Sequence, residues 1–344
     1  MKTILFLVLC QAVLAWVSCA AQSPGPDIYL TRYVISAGND AIGLVKVKTG
    51  EIKSVVVGGA HAAAFKVDKD NTLSVRRKKL PAGAWYDVTI TVTTQTAQKT
   101  EVFRIVKDEF IHNKVIAHRG AWKNTGASEN SIASLNHAVK LGCEGSEFDV
   151  HMSADSLPVI NHDAHIQGLS IAGTQATELL ALKLANGEPL PTLENYLKAG
   201  MEQNKTKLIL EIKPSELGKE ASIALTHKVV TLVEKLHAEA WVDYISFDYD
   251  VCKELLVLAP YANSAYLKGD KTPEELAADR LYGFDYHFSM LQKNPNWVAD
   301  AKSRKLTVNV WTVNDKPMLE DLLKQNVDFI TTNEPELLLS MVKQ

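Results

Sequence analysis

The stretch Val115-Ile116-Ala117-His118-Arg119-Gly120 decides the fold of most of this chain. Three apolar residues run directly into an imidazole, a guanidinium and a glycine, which predicts a short buried strand with a polar end. A second apolar run, residues 146–150, carries Glu147 and Asp149. Side chains two apart on a strand point to the same face, so these carboxylates lie side by side. They repel each other, and the pair therefore predicts a bound cation.

The same alternation of apolar runs, polar ends and helical segments continues to the C-terminus. The predicted strands are Val115–Ala117, Ser146–Val150, Leu208–Ile212, Tyr244–Phe247, Ala265–Leu267, Phe284–Phe288, Leu306–Trp311 and Val327–Ile330. Amphipathic segments such as 220–240 and 317–325 separate them. Eight strands alternating with helices over about 230 residues predict an α/β fold, an eight-stranded parallel TIM barrel. In such a barrel the chemistry lies where the strands end.

A third carboxylate, Glu211, lies within the apolar strand Leu208–Ile212. A carboxylate in such a strand is costly unless it is paired. Together with Glu147 and Asp149 it offers a set of hard oxygen ligands, which favours Mg²⁺ or Ca²⁺. The sequence therefore predicts one divalent cation at the ends of neighbouring strands.

Groups that handle phosphate and protons follow the same strands. Arg119 and Lys213 are fixed cations suited to phosphate oxygens. His118 and His162 can transfer protons near neutral pH. The indole of Trp311 suits either the floor of a substrate pocket or packing at the top of the barrel.

Taken together, these motifs resemble those of the glycerophosphodiester phosphodiesterases. The matching elements, in order, are His118-Arg119-Gly120, Glu129-Asn130-Ser131, Glu147-x-Asp149, His162-Asp163, Glu211-x-Lys213 and Trp311 with its neighbours. The resemblance covers about residues 113–344 and implies metal-dependent hydrolysis of glycerophosphodiesters to sn-glycerol 3-phosphate and an alcohol, through a cyclic phosphate. It implies these roles: metal ligands Glu147, Asp149 and Glu211; acid–base pair His118 and His162; substrate contacts Arg119, Glu129, Lys213 and Trp311.

Two other functions fit the same residues. One is a lysophospholipase D-like phosphodiesterase on the same barrel, and the other is a non-catalytic surface-binding protein on an inactive barrel. The alcohol released, the choice between Ca²⁺ and Mg²⁺, and the assignment of acid and base stay open at this stage. A net charge of -3 gives no electrostatic basis for nucleic-acid binding.

The first 21 residues have the pattern of a secretory signal peptide. A basic residue precedes the apolar stretch 4–17, and small residues follow at 18–21. Cys19 lies in a sequence similar to the end of a lipobox, so lipidation at Cys19 is the alternative to simple cleavage. We expect an exported protein, periplasmic or on the cell surface, that contacts a membrane only if it is lipidated.

Residues 27–110 contain short β-type runs and little helical signal. The predicted strands are Tyr29–Ile35, Ala41–Lys48, Ser54–Val57, Phe65–Val67, Thr72–Val75, Tyr86–Thr93 and Thr100–Val106. Runs of this length and spacing predict a small antiparallel sandwich. The region resembles the immunoglobulin-like or cadherin-like modules of secreted bacterial enzymes. Such a module acts as a spacer or binds carbohydrate or a surface partner.

Overall fold

The computed structural model describes residues 28–342. The predicted signal peptide and Cys19 lie outside these described residues. Within the described range, no helix is both long enough and apolar enough to cross a membrane.

Two four-stranded sheets form the N-terminal region. The strands are β1 (Ile28–Leu30), β2 (Val34–Ile35), β3 (Ala41–Val47), β4 (Ser54–Gly58), β5 (Phe65–Val67), β6 (Thr72–Val75), β7 (Trp85–Thr93) and β8 (Gln98–Lys107). One sheet has the order β1-β3-β6-β5, and the other has the order β2-β8-β7-β4. Along β7, buried and half-buried residues alternate, so one face of this strand packs in the core.

The predicted strand Tyr29–Ile35 is wrong as a single element. It divides into β1 and β2, which belong to different sheets. Between them the hydroxyl of Thr31 accepts a hydrogen bond from the Leu44 amide (2.9 Å), which holds the chain as it crosses from one sheet to the other. Because β2 pairs in parallel with β8, the sandwich is not wholly antiparallel.

A closed barrel of eight parallel strands follows, as the sequence predicts. The strands of this part are β9 (Val115–Ala117), β10 (Gly145–Met152), β11 (Pro158–Ile160), β12 (His165–Ile166), β13 (Leu169–Ser170), β14 (Lys207–Ile212), β15 (Val242–Ser246), β16 (Ser264–Tyr266), β17 (Gly283–His287), β18 (Thr307–Trp311) and β19 (Phe329–Thr332). The barrel runs β9-β10-β14-β15-β16-β17-β18-β19 and closes onto β9. Strand β11 pairs antiparallel with β10, and β12 pairs with β13 in a separate two-stranded sheet.

Ten helices accompany these strands within the described residues. They are α1 (Ile132–Leu141), α2 (Ala176–Leu179), α3 (Leu193–Gly200), α4 (Lys219–Leu236), α5 (Tyr249–Leu258), α6 (Pro273–Ala278), α7 (Phe288–Lys293), α8 (Trp297–Ser303), α9 (Lys316–Lys324) and α10 (Pro335–Val342). N-terminal capping residues determine where several of these helices begin. For example, Asp248 caps α5, and Thr272 with Glu275 forms a capping box on α6.

The centre of the barrel is filled by a small apolar cluster. Ile116, Ile209, Ile245 and Leu267 are buried there and contact one another. Since inward-facing residues alternate along each strand, the residue two places after Ile209 points inward one layer higher. That residue is Glu211, so the strand register brings polar side chains to the carboxyl end of the barrel.

The sheets of the N-terminal region pack against the amino end of the barrel. The rings of Trp85 and Trp241 meet edge to face with centroids 6.0 Å apart. The side-chain amide of Asn204, which precedes β14, donates to the carbonyl oxygen of Lys107 (3.0 Å). Both barrel residues precede strands, so this contact lies at the end opposite to the carboxylate cluster.

Candidate active site

Three carboxylates converge at the carboxyl ends of β10 and β14. Asp149 and Glu211 are directly paired across the two strands, and Glu147 lies two residues before Asp149. One oxygen of each carboxylate lies within 4.8 Å of the others. All three side chains are buried. The structure therefore brings together the three residues that the sequence predicts as metal ligands.

The partners of these carboxylates leave room for a cation. Glu147 Oε2 accepts a hydrogen bond from the Arg119 amide (2.8 Å), while its buried Oε1 has no hydrogen-bond partner. Asp149 Oδ2 accepts from the side-chain amide of Asn130 (2.8 Å). A buried oxygen without a partner costs free energy, and hard carboxylate oxygens are the ligands preferred by Mg²⁺ and Ca²⁺. The residues present thus fit a divalent cation.

Burial and mutual repulsion raise the pKa values of two of these carboxyls. Burial, followed by the charges of Asp149 and Glu211, raises the pKa of Glu147 well above its usual range. Burial, followed by the charge of Asp149, raises the pKa of Glu211 to about 8. A cation placed among the three oxygens would reverse both effects.

Lys213 supplies a positive charge beside the carboxylates. Its Nζ lies 3.1 Å from Asp149 Oδ1 and 2.9 Å from Glu211 Oε1. Burial alone would lower the pKa of Lys213, but the two carboxylates outweigh it and raise the pKa above its ordinary value. Lys213 is therefore charged, and it lies at the position expected for a phosphate contact.

The loop after β9 has a strained backbone and places Arg119 beside the carboxylate cluster. Arg119 and Gly120 both have positive φ, +57° and +78°. A Cβ on Gly120 would lie 2.6 Å from the Cβ of Ser134, so only glycine fits here. The Arg119 guanidinium donates to Glu129 Oε2 (3.0 Å), and its Nε is 3.8 Å from Asp149 Oδ2. The predicted contacts Arg119 and Glu129 are thus paired with each other beside the carboxylates.

His118 lies at the tip of β9 in a defined orientation. Its Nδ1 is 2.8 Å from the side-chain oxygen of Asn333, which accepts the hydrogen bond and leaves Nε2 as the acceptor. Burial, with the neighbouring Arg119 charge second, lowers the pKa of His118 to about 4. The imidazole is therefore neutral at neutral pH and able to accept a proton.

His162 follows β11 and approaches the same cluster from another element. It is close enough to both Asp149 and His118 to act on them electrostatically. Nδ1 of His162 is 2.7 Å from Asp163 Oδ1, and its backbone oxygen accepts from Nε2 of His151 (3.1 Å). Its side chain is 33% exposed, so it faces solvent more than His118 does.

Trp311 packs within a group of aromatic rings at the same rim. Its ring meets those of Phe247 (5.5 Å) and His287 (5.2 Å) edge to face. Its indole N–H donates to the Asp285 carbonyl (2.7 Å), so only the ring face is free to contact a substrate. Lys213 Nζ lies 5.9 Å from the centre of the Phe247 ring, which joins this aromatic group to the carboxylate cluster.

Sequence reasoning did not assign four of these residues: Asn130, Asp163, Phe247 and Asn333. Asn130 lies within the quoted motif at 129–131, next to the predicted substrate contact Glu129, and that position was the available signal for it. Asn333 follows the polar Thr331-Thr332 at the end of the last barrel strand. A polar residue after a barrel strand was the available signal for it.

Comparison with known proteins agrees with this geometry. The model of the glycerophosphoryl diester phosphodiesterase family matches residues 118–337. A protein from Caldanaerobacter subterraneus subsp. tengcongensis, named glycerophosphodiester phosphodiesterase, is 28% identical over 246 residues, which are 67% of this chain and 98% of that protein.

Solved structures of similar proteins cover the same part of the chain. A glycerophosphodiester phosphodiesterase from Parabacteroides distasonis is 43% identical, with a TM-score of 0.66, and the match covers 69% of this chain and 98% of that one. A phosphodiesterase from Oleispira antarctica, solved with the product sn-glycerol-3-phosphate, is 26% identical, with a TM-score of 0.57, over 67% of this chain and 97% of that one. Both matches leave about a third of this chain uncovered, and the chain has an additional N-terminal region.

Proposed function

The chain belongs to the glycerophosphoryl diester phosphodiesterase family, and we propose that it hydrolyses glycerophosphodiesters with one divalent cation and a pair of histidines. Its substrates are small molecules, and its products are sn-glycerol 3-phosphate and an alcohol. The observation that carries this proposal is the buried carboxylate cluster with two imidazoles beside it. A binding protein has no need to bury three repelling carboxylates next to a neutral histidine.

Glu147, Asp149 and Glu211 would hold the cation, which we expect to be Ca²⁺ or Mg²⁺. When bound, such a cation supplies positive charge that stabilises the charge developing on phosphate oxygens and on a glycerol hydroxyl. Lys213 and Arg119 then contact the remaining phosphate oxygens.

His118 acts as the base in the first half-reaction. Its neutral Nε2 takes the proton from the glycerol 2-hydroxyl, whose oxygen forms a bond to phosphorus. Asn333 holds the opposite ring nitrogen and stabilises the imidazolium that results. The bond from phosphorus to the leaving alcohol breaks as the five-membered cyclic phosphate forms.

His162 acts as the acid and protonates the departing alcohol oxygen. The Asp163 carboxylate lies 2.7 Å from Nδ1 of His162 and holds the imidazole in one orientation. In the second half-reaction the roles reverse: His162 takes a proton from water, the water oxygen attacks phosphorus, and His118 returns its proton to the 2-oxygen. The enzyme ends in its starting state with glycerol 3-phosphate bound.

A panel of glycerophosphodiesters, with coupled detection of glycerol 3-phosphate, tests the reaction. We expect turnover that disappears on chelation and returns with Ca²⁺ or Mg²⁺. We expect His118→Ala and His162→Ala each to lose at least about 10²-fold in kcat, while the nearby exposed His165→Ala keeps full activity. Activity of either catalytic variant near that of the wild type would contradict the proposal. Faster turnover of a lysophospholipid would favour the lysophospholipase D alternative, and no turnover of any substrate would favour a binding protein.

A substrate with an activated leaving group distinguishes the acid from the base, because the two histidine variants should respond to it differently. Glycerol p-nitrophenyl phosphate releases p-nitrophenolate, which needs no proton. His162→Ala should therefore recover most of its first-step rate on this substrate, and His118→Ala should not. Equal losses in both variants would contradict the assignment of acid and base.

We also propose that the protein is exported by a signal peptide at residues 1–21, with lipidation at Cys19 as the alternative to cleavage. The sheets at residues 28–107 fit an immunoglobulin-like or cadherin-like module that acts as a spacer or binds carbohydrate or a surface partner. Fractionation of cells that express the full chain tests export, and Cys19→Ser separates a lipoprotein from a free protein. Retention of the full-length precursor in the cytosol would contradict export.

A further inference from the structure

A large cavity lies at the amino ends of the barrel strands. Its volume is about 590 Å³, which is ample for a small ligand. The N-terminal sheets contribute Thr31–Val34 to its wall, and the barrel contributes residues at the starts of strands, such as Lys207 and Thr307. Tyr282, which is 42% exposed, lies where it opens to solvent. The nine predicted active-site residues do not line it.

One corner of this cavity combines aromatic rings with a carboxylate. Tyr33, Tyr244 and Tyr261 line it together with Glu239. The rings of Tyr33 and Tyr261 meet edge to face at 5.2 Å. All three tyrosines lie close enough to Glu239 to respond to its charge. We call these four residues the aromatic corner.

Acidic groups outnumber basic ones on the cavity wall. Its carboxylates are Asp108, Glu144, Glu239, Asp243 and Asp285, against the cations Arg32 and Lys207. Asp243 is 3.4 Å from Lys207, and Glu144 accepts hydrogen bonds from the amides of residues 113 and 114. Glu239 and Asp285 have no ion pair in the described residues.

Three polar atoms of the wall are buried without a hydrogen-bond partner. They are Glu239 Oε2, the hydroxyl oxygen of Tyr244 and Asp285 Oδ1. Tyr244 and Asp285 are each 1% exposed. Burial raises the pKa of Glu239 to about 8, which is the expected result for a carboxyl with no cation beside it. Such groups cost free energy unless a ligand satisfies them.

We propose that this cavity is a binding site for a small organic ammonium cation. Aromatic faces attract an alkylated ammonium group, and a cation bound beside Glu239 would lower its raised pKa so that the carboxylate supplies the opposite charge. The acidic wall opposes an anion, and a hydrocarbon would leave the buried oxygens without partners. The aromatic corner is at the opposite end of the barrel from the catalytic residues, so a cation bound there is separate from phosphodiester hydrolysis, although Asp285, deeper in the cavity, responds to the charge of Glu211.

Calorimetry on the full chain, with choline and tetramethylammonium as probes at constant ionic strength, tests the proposal. We expect saturable binding with a Kd of about 1 mM or tighter, from several cation–π contacts and one ion pair. The uncharged analogue 3,3-dimethylbutan-1-ol should bind at least about tenfold more weakly, because it lacks the charge. Absence of saturable binding, or equal binding of the uncharged analogue, would overturn the proposal.

Substitutions in the aromatic corner and at the catalytic end test where the cation binds. Glu239→Gln and Tyr261→Leu should weaken choline binding about tenfold or more, and Tyr261→Phe, which keeps the ring, should retain it. All three should keep wild-type hydrolysis, which also shows that they fold. Trp311→Ala and Glu147→Gln, both at the catalytic end, should bind choline as the wild type does. If those two lose choline binding and the aromatic-corner variants retain it, the cation binds at the catalytic end and the proposal is wrong.

Discussion

Glu147, one of the three proposed metal ligands, is buried beside two other carboxylates. Its Oε2 is held by a backbone amide, and its Oε1 has no partner in a buried site. Without a cation, burial and the charges of Asp149 and Glu211 raise the pKa of this carboxyl, whereas the proposed cation would make it a ligand. Burial of Glu147 therefore costs free energy in the metal-free protein, and under our proposal the same group would contribute to the affinity for the metal.

We predict that Ca²⁺ or Mg²⁺ raises the melting temperature of the chelated protein and that Glu147→Gln abolishes this shift. A ligand at 100 times its Kd stabilises the folded state by about 2.7 kcal/mol, which a thermal melt detects readily. Without metal, Glu147→Gln should melt no lower than the wild type, because it replaces a carboxyl that burial and two neighbouring carboxylates make costly to ionise. Glu216→Gln, an exposed carboxylate on the same rim, is the matched control and should keep the shift.

The affinity for the metal should also depend on pH. The raised pKa of Glu211, about 8, means that a proton competes with the cation below that pH. Affinity should therefore increase from pH 6.5 to 8, by up to about tenfold per pH unit for each competing proton. A Kd for the metal that stays constant across this pH range would show that the metal binds elsewhere. So would a metal-induced rise in melting temperature that persists in Glu147→Gln.

Among the elements, the turn from β9 into α1 depends most on one residue. Gly120 has φ +78°, and a Cβ there would overlap the side chain and carbonyl carbon of Ser134 on α1. The same turn orients Arg119, whose amide binds Glu147. A side chain at position 120 must therefore displace both helix α1 and the loop that carries Arg119.

We predict that Gly120→Ala lowers both stability and activity. Gly126 is the matched control, because it has a similar φ, +75°, with open space around its Cβ position. Gly126→Ala should cost about 1 kcal/mol, from backbone strain alone. Gly120→Ala should cost about 2 kcal/mol more and reduce kcat, as measured by denaturant unfolding and the glycerol 3-phosphate assay. Equal effects of the two variants would show that the turn tolerates a side chain.

Local sequence predicted the barrel strands because each is a short, buried apolar run whose polar end marks where the strand stops. Strand β9 was predicted with its observed ends, and the other seven barrel strands differ by two residues or fewer at either end. The division of Tyr29–Ile35 between two sheets was not predictable, since both halves are apolar and only the tertiary contact of Thr31 separates them. The site shows the same limit: the carboxylates and histidines have recognisable spacing, whereas Asn333 contacts His118 across 215 positions of sequence.

At the scale of the whole molecule, the N-terminal sheets and the barrel share one buried cluster of apolar side chains. Trp241 is completely buried, and its indole N–H donates to the Gln203 carbonyl at the base of the barrel (2.5 Å). Trp85 covers it from the N-terminal side. Removal of the sheets would expose Trp241 and open the cavity at the amino end of the barrel, so we expect the two parts to unfold together.

We predict that Trp85→Ala destabilises the entire described part of the chain by about 2 kcal/mol, since it leaves a cavity over Trp241. Unfolding in urea should remain a single transition, with tryptophan fluorescence, far-UV circular dichroism and hydrolysis lost at the same, lower denaturant concentration. Val56→Ala, an exposed residue on the same sheet as Trp85, is the control and should change stability by less than about 0.5 kcal/mol. Early loss of β structure, with the midpoint for hydrolysis unchanged, would show instead that the barrel is stable without the N-terminal sheets. In that case the amino end of the barrel does not rely on the Trp85 contact, and the sheets act as an independent module.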